Sequence, residues 1–207
     1  MTEVALQSPF EPLRQFYKSI YPAFSEEGWH LTEQLAAIRT LKKGEILLKQ
    51  GAVCTNVSFI VEGLVRMYIE HDDKEKTLCF FNELTYVSDY SSFLTRQPSK
   101  MYIQALEPTT VIETSYDNLQ RLYREVPEAN LLGRIMCEQL FIQTNDVHVH
   151  ELKENFEQRY LTLVEKYPWI ISRVPQYMIA SFMGITPEAL SRIKARIARP
   201  SKNKRVA

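Results

Sequence analysis

The sequence predicts an α+β protein, in which a double-stranded β-helix (jelly-roll) domain precedes a long helix and a C-terminal helical domain. Three observations support this fold class. Short β-rich runs alternate with turns between residues 41 and 115, as in jelly-roll barrels. Residues 128–152 lack proline and repeat apolar side chains at helical spacing. The segment after residue 152 combines helical spacing with a basic charge.

Length and composition limit the class of protein. A chain of 207 residues allows one large domain or two small ones, and 45% hydrophobic residues suffice for a buried core. No apolar run is long enough to cross a membrane, and the N-terminus lacks a secretory signal. The three cysteines are odd in number and far apart, which favours reduced thiols. We therefore expect a cytoplasmic protein.

Two helices are expected before the barrel. Apolar residues at helical spacing predict the first, which Pro22 ends. Ser25 is a good N-cap for the second, whose apolar positions run to Ile38. Strands follow, with residues 71–76 as a polar hairpin tip. The strand sequences are EILLK, SFIVEG, LVRMYIE, TLCFF, MYIQAL and TVIETS.

One long segment, residues 126–152, predicts a dimerisation helix. Ile135, Ile142 and Val149 recur every seven residues and Leu132 lies beside them, a spacing typical of an interhelical seam. The alternative is a helix that packs on its own barrel, because polar residues interrupt the repeat. A shorter helix is expected on each side of this segment.

A pair of helices is predicted in the C-terminal string VPQYMIASFMGITPEALSRIKARI. The first runs over Pro175–Met183, and Gly184 suits a left-handed helix end. Thr186 is a good N-cap and Pro187 a good first residue for the second helix. A stop and a restart this close together are typical of a helix-turn-helix motif.

The second helix of this motif separates an apolar face, with Leu190 and Ile193, from a polar face with Glu188, Ser191 and Arg192. Arginine can bind guanine through two hydrogen bonds and glutamate can accept one from cytosine, so the polar face favours DNA. Residues 153–207 carry eleven Lys and Arg against four Asp and Glu, which suits a polyanion. The alternative is an amphipathic helical hairpin with a charged outer face. The residues expected at DNA phosphates are Thr186, Arg196, Arg199, Lys202 and Lys204.

These motifs resemble those of the Crp/Fnr family of bacterial transcription regulators, from about Leu31 to Ile197. IASFMGITPEALSRI carries the resemblance most specifically and is most similar to members with a reduced wing, common in Bacteroidetes. LKKGEILLKQG and VSFIVEGLVRMYI are similar to early strands of the family's cyclic-nucleotide-binding barrel. The resemblance implies a β-roll sensor domain, a dimerising helix and a homodimer that reads an inverted-repeat operator. It implies base contacts by Pro187, Glu188, Ser191 and Arg192.

The resemblance also locates an effector pocket, where this sequence departs from the family pattern. Members that bind cyclic AMP carry Gly-Glu-Leu and then Arg-Ser or Arg-Thr. Asp89 could still accept a hydroxyl and Lys100 could supply a charge, but the bidentate arginine is lost. We expect an empty, vestigial or differently liganded barrel rather than one that binds cyclic AMP. The corresponding residues are Ser88, Asp89 and Tyr90, and then Ser99 and Lys100.

Other chemistries have little support in the residues. An iron–sulfur cluster needs about four cysteines, and the histidines are scattered, so we expect no metal or haem cofactor. A cupin-type enzyme needs a histidine cluster in the barrel, where His71 stands alone at the hairpin tip. No phosphate-binding loop or nucleophile motif is present, so we do not expect an enzyme.

The sequence therefore predicts a DNA-binding transcription regulator with three parts. These are a cyclic-nucleotide-binding-like sensor domain (1–125), a dimerisation helix (126–152) and a helix-turn-helix domain (153–207). Expected partners are double-stranded DNA and a second copy of the chain, with RNA polymerase as a further candidate and no membrane. The alternative is a sensor or interaction protein that keeps this fold without binding DNA specifically.

Overall fold

Residues 8–72 and 74–198 are described by the structure, a computed structural model; for residues 71 and 147–152 it describes the backbone only. The chain divides into two compact units, Met1–Ile69 with Leu78–Phe141 and Glu70–Thr77 with Ile142–Ala207. No helix within the described ranges has the length and apolar character needed to cross a membrane. The three-part division predicted from the sequence stays a prediction.

Two helices open the first unit, α1 (Glu11–Ile20) and α2 (Glu26–Leu35). Ser25 caps α2, because its hydroxyl oxygen accepts a hydrogen bond from the Gly28 N–H at 3.1 Å. The predicted extension of α2 to Ile38 is wrong, because residues from Ala36 onward form a strand. Pairing with another strand, in which Ile38 faces Ile112, overrides the local helical spacing.

Within the described residues, eight strands form two four-stranded sheets, which confirms the predicted jelly-roll and the α+β class. The strands are β1 (Ala36–Leu41), β2 (Ile46–Leu48), β3 (Asn56–Glu62), β4 (Val65–His71), β5 (Lys74–Phe81), β6 (Tyr86–Val87), β7 (Tyr102–Ala105) and β8 (Thr109–Ser115). The sheet orders are β1-β8-β3-β6 and β2-β7-β4-β5. All six predicted runs contain strands, whereas β1 and the short β6 were not predicted.

An apolar core fills the space between the two sheets. Ile60 and Val111 enter it from one sheet and Ile103 from the other. Phe93, which is 0% exposed, adds a large ring from the short helix α3 (Tyr90–Thr95). Burial of such side chains stabilises each by about 1.5–3 kcal/mol relative to exposure. The barrel interior is therefore a packed core.

Helix α4 (Tyr116–Glu125) leads into the long helix α5 (Pro127–Lys153). Leu132, predicted in an interhelical seam, is 3% exposed and lies in a core cluster with residues of α1 and α2. Its seam assignment is wrong, because this side chain packs within its own chain. Ile135 is half-buried and Ile142 is 58% exposed. The side chain of Val149 lies outside the described residues.

The second unit contains four helices after α5 among the residues described. Ser181 connects them to the β4–β5 hairpin tip, which belongs to the same unit. Its hydroxyl accepts a hydrogen bond from the Thr77 N–H at 3.0 Å and donates one to the Glu75 carbonyl at 3.2 Å. The helices are α6 (Phe156–Lys166), α7 (Ile170–Arg173), α8 (Gln176–Met183) and α9 (Pro187–Ala198), of which α7 was not predicted.

Candidate nucleic-acid interface

The turn between α8 and α9 has the geometry that the sequence predicted. Gly184 has a φ of +71°, and its N–H donates to the Ser181 carbonyl at 3.1 Å. The Ile185 N–H donates to the Ala180 carbonyl at 3.0 Å, which completes a Schellman helix end. Open space surrounds the position of a Cβ at Gly184, so the backbone conformation alone requires glycine.

The start of α9 is capped as predicted. The Thr186 hydroxyl oxygen accepts a hydrogen bond from the Ala189 N–H at 3.2 Å, and Pro187 is the first helical residue. Hydrogen bonds from its own backbone N–H and from Thr186 hold the pKa of Glu188 below its usual value, and Arg192 nearby lowers that pKa further. An ionised carboxylate and a guanidinium therefore lie side by side on the first turns of α9.

Helix α9 presents opposite faces to the core and to solvent. Leu190 and Ile193 are buried against the unit's own helices. The four residues that the resemblance assigns to base contacts are all exposed, so their side chains are open to a partner. They are Pro187, Glu188, Ser191 and Arg192.

Two cations near the polar face of α9 have partners on neighbouring helices. Arg196 forms an ion pair with Glu157 of α6, with 2.5 Å between Nε and Oε2. The Lys194 ammonium donates to the Gln176 side-chain oxygen of α8 at 2.8 Å. Three other predicted phosphate contacts, Arg199, Lys202 and Lys204, lie outside the described residues.

Sequence reasoning identified neither Glu157 nor Gln176. A local signal does place Glu157 at the start of a helix, because Asn155 and Gln158 have the spacing of a capping box. No local signal shows that α6 and α8 lie beside α9, since that depends on tertiary packing.

The predicted effector residues in the barrel are mostly satisfied by their own chain. Asp89, which is 6% exposed, caps α3 by accepting from the Ser92 N–H at 3.1 Å. The buried Ser99 hydroxyl donates to the Met101 carbonyl at 2.9 Å, and its oxygen accepts from the Met101 N–H at 3.1 Å. Lys100 is exposed.

Tyr90 is also held by its own unit. Its ring stacks on Phe93 with centroids 5.9 Å apart, and its hydroxyl oxygen lies 3.6 Å from the Cys137 thiol, which donates to it. Burial raises the pKa of Tyr90 well above its usual value, and the Cys137 contact adds to that shift. The phenol therefore stays neutral at physiological pH.

A small cavity lies beside strands β2, β3 and β7. This cavity of about 30 Å³ is lined by Cys54, Asn56 and Ser88, among others. Ser88 is one of the five residues predicted for an effector pocket, and the other four do not line this cavity. Drug-sized ligands occupy pockets of about 300–1,000 Å³, whereas this space suits one or two waters. An open groove of about 320 Å³ lies elsewhere, along α1 and Leu84.

The described residues contain no group of three or more His, Cys, Asp or Glu side chains that could hold a metal ion.

Comparison with known proteins supports the fold. Residues 38–126, less than half of the chain, match the family model of the cyclic nucleotide-binding domain. That stretch runs from β1 into the segment that joins α4 to α5. No curated protein sequence matches the chain.

Solved structures with the same fold include several Crp/Fnr-family regulators. The c-di-GMP responsive global regulator CLP of Xanthomonas campestris has a TM-score of 0.65 at 14% identity, over 84% of this chain and 91% of that one. FixK2 of Bradyrhizobium japonicum has a TM-score of 0.64 at 16% identity, over 78% and 84%. The catabolite activator protein of Thermus thermophilus has a TM-score of 0.54 at 16% identity, over 86% of each chain. Identities this low establish the fold alone.

Proposed function

We propose that the protein is a homodimeric, sequence-specific DNA-binding transcription regulator of the Crp/Fnr type. The observation that carries this proposal is the polar face of α9. A capped helix, placed by a tight turn after α8, presents an ionised carboxylate, a hydroxyl and a guanidinium to solvent. Such groups read base edges in the major groove. In a two-fold dimer, recognition helices about 34–36 Å apart would read an inverted repeat.

The proposed contacts fall into two classes. Pro187, Glu188, Ser191 and Arg192 face the bases and determine the sequence that is preferred. The flanking residues contact phosphates of the DNA backbone and position the helix without reading the base sequence. These are Thr186, Arg196, Arg199, Lys202 and Lys204.

The proposed dimer uses the outer side of α5. Leu140, Phe141 and Ile142 are three consecutive apolar side chains, and each is at least half exposed in the single chain. Exposed apolar side chains mark interaction sites where they share one helix face. Of these three, Ile142 lies seven residues from Ile135 and from Val149, so these positions share a face that a second α5 would cover. The proposed functional division remains a sensor domain (1–125), a dimerisation helix (126–152) and a DNA-binding domain (153–207).

In this proposal cyclic AMP is not the effector. Asp89 and Ser99 are bonded to backbone groups of their own unit, and the cavity that Ser88 lines has a volume of about 30 Å³. Any effector in the β-roll would be a different small molecule. The protein would act in the cytoplasm, where its DNA lies, with RNA polymerase as a further partner.

Selection of bound duplexes from a random pool tests the proposed function. We expect enrichment of one inverted repeat whose half-sites are one helical turn apart. Fluorescence anisotropy at two salt concentrations then separates specific binding from phosphate-driven binding, because the latter weakens steeply with salt. A pool that shows no enriched sequence would favour a sensor or interaction protein that does not bind DNA specifically.

A further inference from the structure

The Arg196–Glu157 ion pair lies at the edge of the proposed DNA-binding face. The side chain of Arg196 is 65% exposed and that of Glu157 is 35% exposed, so solvent and a ligand both reach the pair. Exposed pairs of this kind stabilise a fold only weakly, because solvent screens both charges. The pair therefore has little structural purpose, although it neutralises a cation on α9.

The position of Glu157 is fixed by the start of α6. The Asn155 side-chain oxygen accepts hydrogen bonds from the Glu157 and Gln158 N–H groups, both at 3.0 Å. The Gln158 side chain accepts in return from the Asn155 N–H at 3.1 Å. This capping box holds the helix end in one conformation. The Glu157 carboxylate is consequently held beside Arg196 by the capped first turn of α6.

The neighbouring cation of α9 differs in one respect. Lys194 is held by Gln176, which is neutral, so its positive charge is not cancelled. Arg196 is held by a carboxylate, so its charge is cancelled locally. The chain thus leaves one of these two cations free to attract phosphate and restrains the other.

We propose that Glu157 is a specificity-determining residue, which withholds Arg196 from phosphates until α9 is seated on its operator. This inference rests on the proposed function, because it assumes that α9 contacts DNA. Affinity for non-operator DNA depends mainly on how many cations neutralise phosphates. A withheld arginine lowers that affinity. On an operator, base contacts hold α9 in place, and a phosphate at fixed distance replaces the carboxylate.

Glu157→Gln tests the inference with little change in shape, because the amide oxygen can still accept from Nε of Arg196. Glu165→Gln removes one negative charge from an exposed position on the same helix and is the matched control. Arg196→Gln and the double variant Glu157→Gln/Arg196→Gln complete the set. Anisotropy measures the affinity of each full-length protein for a random-sequence duplex and for a selected operator, over a range of salt.

We expect Glu157→Gln to raise affinity for the random duplex more than for the operator. Its plot of log affinity against log salt should steepen by about 0.9 for each protomer in contact. The ratio of its affinity for the random duplex to that of the native protein should then fall about 3.5-fold per protomer between 50 and 200 mM salt. Glu165→Gln should show a smaller change, and the double variant should match Arg196→Gln.

Three results would overturn the inference. Equal effects of Glu157→Gln and Glu165→Gln would show a general charge effect. If Glu157→Gln still raises affinity for the random duplex when Arg196 is already glutamine, Glu157 does not act through Arg196. An equal loss on both duplexes would show that the pair only braces α9. Failure of the proposed function would be distinguishable from these results. In that case the selection would enrich no operator, although binding to random duplexes could still be measured.

Discussion

Polar side chains lie both in the segments around α3 of the barrel domain and on the outer face of α9, but their surroundings differ. In the barrel, Asp89 and Ser99 are buried and bonded to backbone groups two or three residues away. On α9, Ser191 and Arg192 are exposed, and Glu188 is held ionised at the helix start. The same residue types that could bind a ligand are structural in one region and available in the other.

This difference shows that residue type alone does not identify a binding site. A buried polar group needs a partner, because leaving it unpaired costs about 1–3 kcal/mol. In the barrel domain the chain supplies that partner itself, and the cavity that Ser88 lines has a volume of about 30 Å³. On α9 the polar groups are exposed, so DNA can reach them. Four pairs of substitutions test this contrast.

Truncation of the barrel core should give the largest effect. Phe93→Ala should lower the free energy of unfolding by about 3–5 kcal/mol, because the ring is fully buried between the sheets. Chemical denaturation measures the loss. Leu94→Ala, at a half-exposed position on the same helix, should cost much less. A barrel that tolerates Phe93→Ala would be a ligand pocket rather than a packed core.

Removal of the Arg192 guanidinium from the polar face of α9 should give the second-largest effect. Arg192→Ala should weaken operator binding by about 1–3 kcal/mol and relax preference at one base position. Anisotropy with operators varied at each position measures both changes. Arg121→Ala, at an exposed position on α4, is the control and should leave the base preference unchanged. Native operator affinity in Arg192→Ala would remove this residue from the proposed base contacts.

Substitution at the turn before α9 tests how that face is held. Gly184→Ala should destabilise the second unit by about 1–2 kcal/mol, because its φ of +71° strains residues with a Cβ. Gly184→Asn should cost less, since asparagine tolerates left-handed backbone better. Thermal unfolding measures both variants. Equal losses in the two would indicate a cause other than backbone strain.

Removal of the Asp89 carboxylate should give the smallest effect. Asp89→Ala should cost about 1 kcal/mol of stability through loss of the α3 cap, whereas Asp89→Ser should retain most of it. Millimolar cyclic AMP should leave the melting temperature of the native protein unchanged, because a ligand stabilises only by binding the folded state. A rise that Asp89→Ala abolishes would make the barrel a nucleotide site after all.

Local signals in the sequence predicted the C-terminal motif well. Gly184, Thr186 and Pro187 each act through backbone geometry or hydrogen bonds within a few residues, so neighbours in the chain suffice to define them. The alternation of strands and turns predicted the jelly-roll for the same reason. Such signals are strong where the partner of a group is close in sequence.

Sequence patterns failed to predict the structure where a residue packs against or pairs with residues far away in the chain. Ile38 has helical spacing with α2, yet pairing with β8 makes it part of a strand. Leu132 has the spacing of a dimer seam, yet it is buried in a core cluster within the same chain. Apolar periodicity shows that a face is buried but does not show which surface buries it.

The sequence by itself determined the order of barrel, long helix and helix-turn-helix, and the residues that define the turn before α9. Those features depend on propensities, caps and turns, whose interactions span a few residues. Tertiary structure alone decided that Asp89 is buried and that Glu157 reaches Arg196. Both outcomes depend on which elements pack together, because burial and electrostatic contacts join residues far apart in the chain.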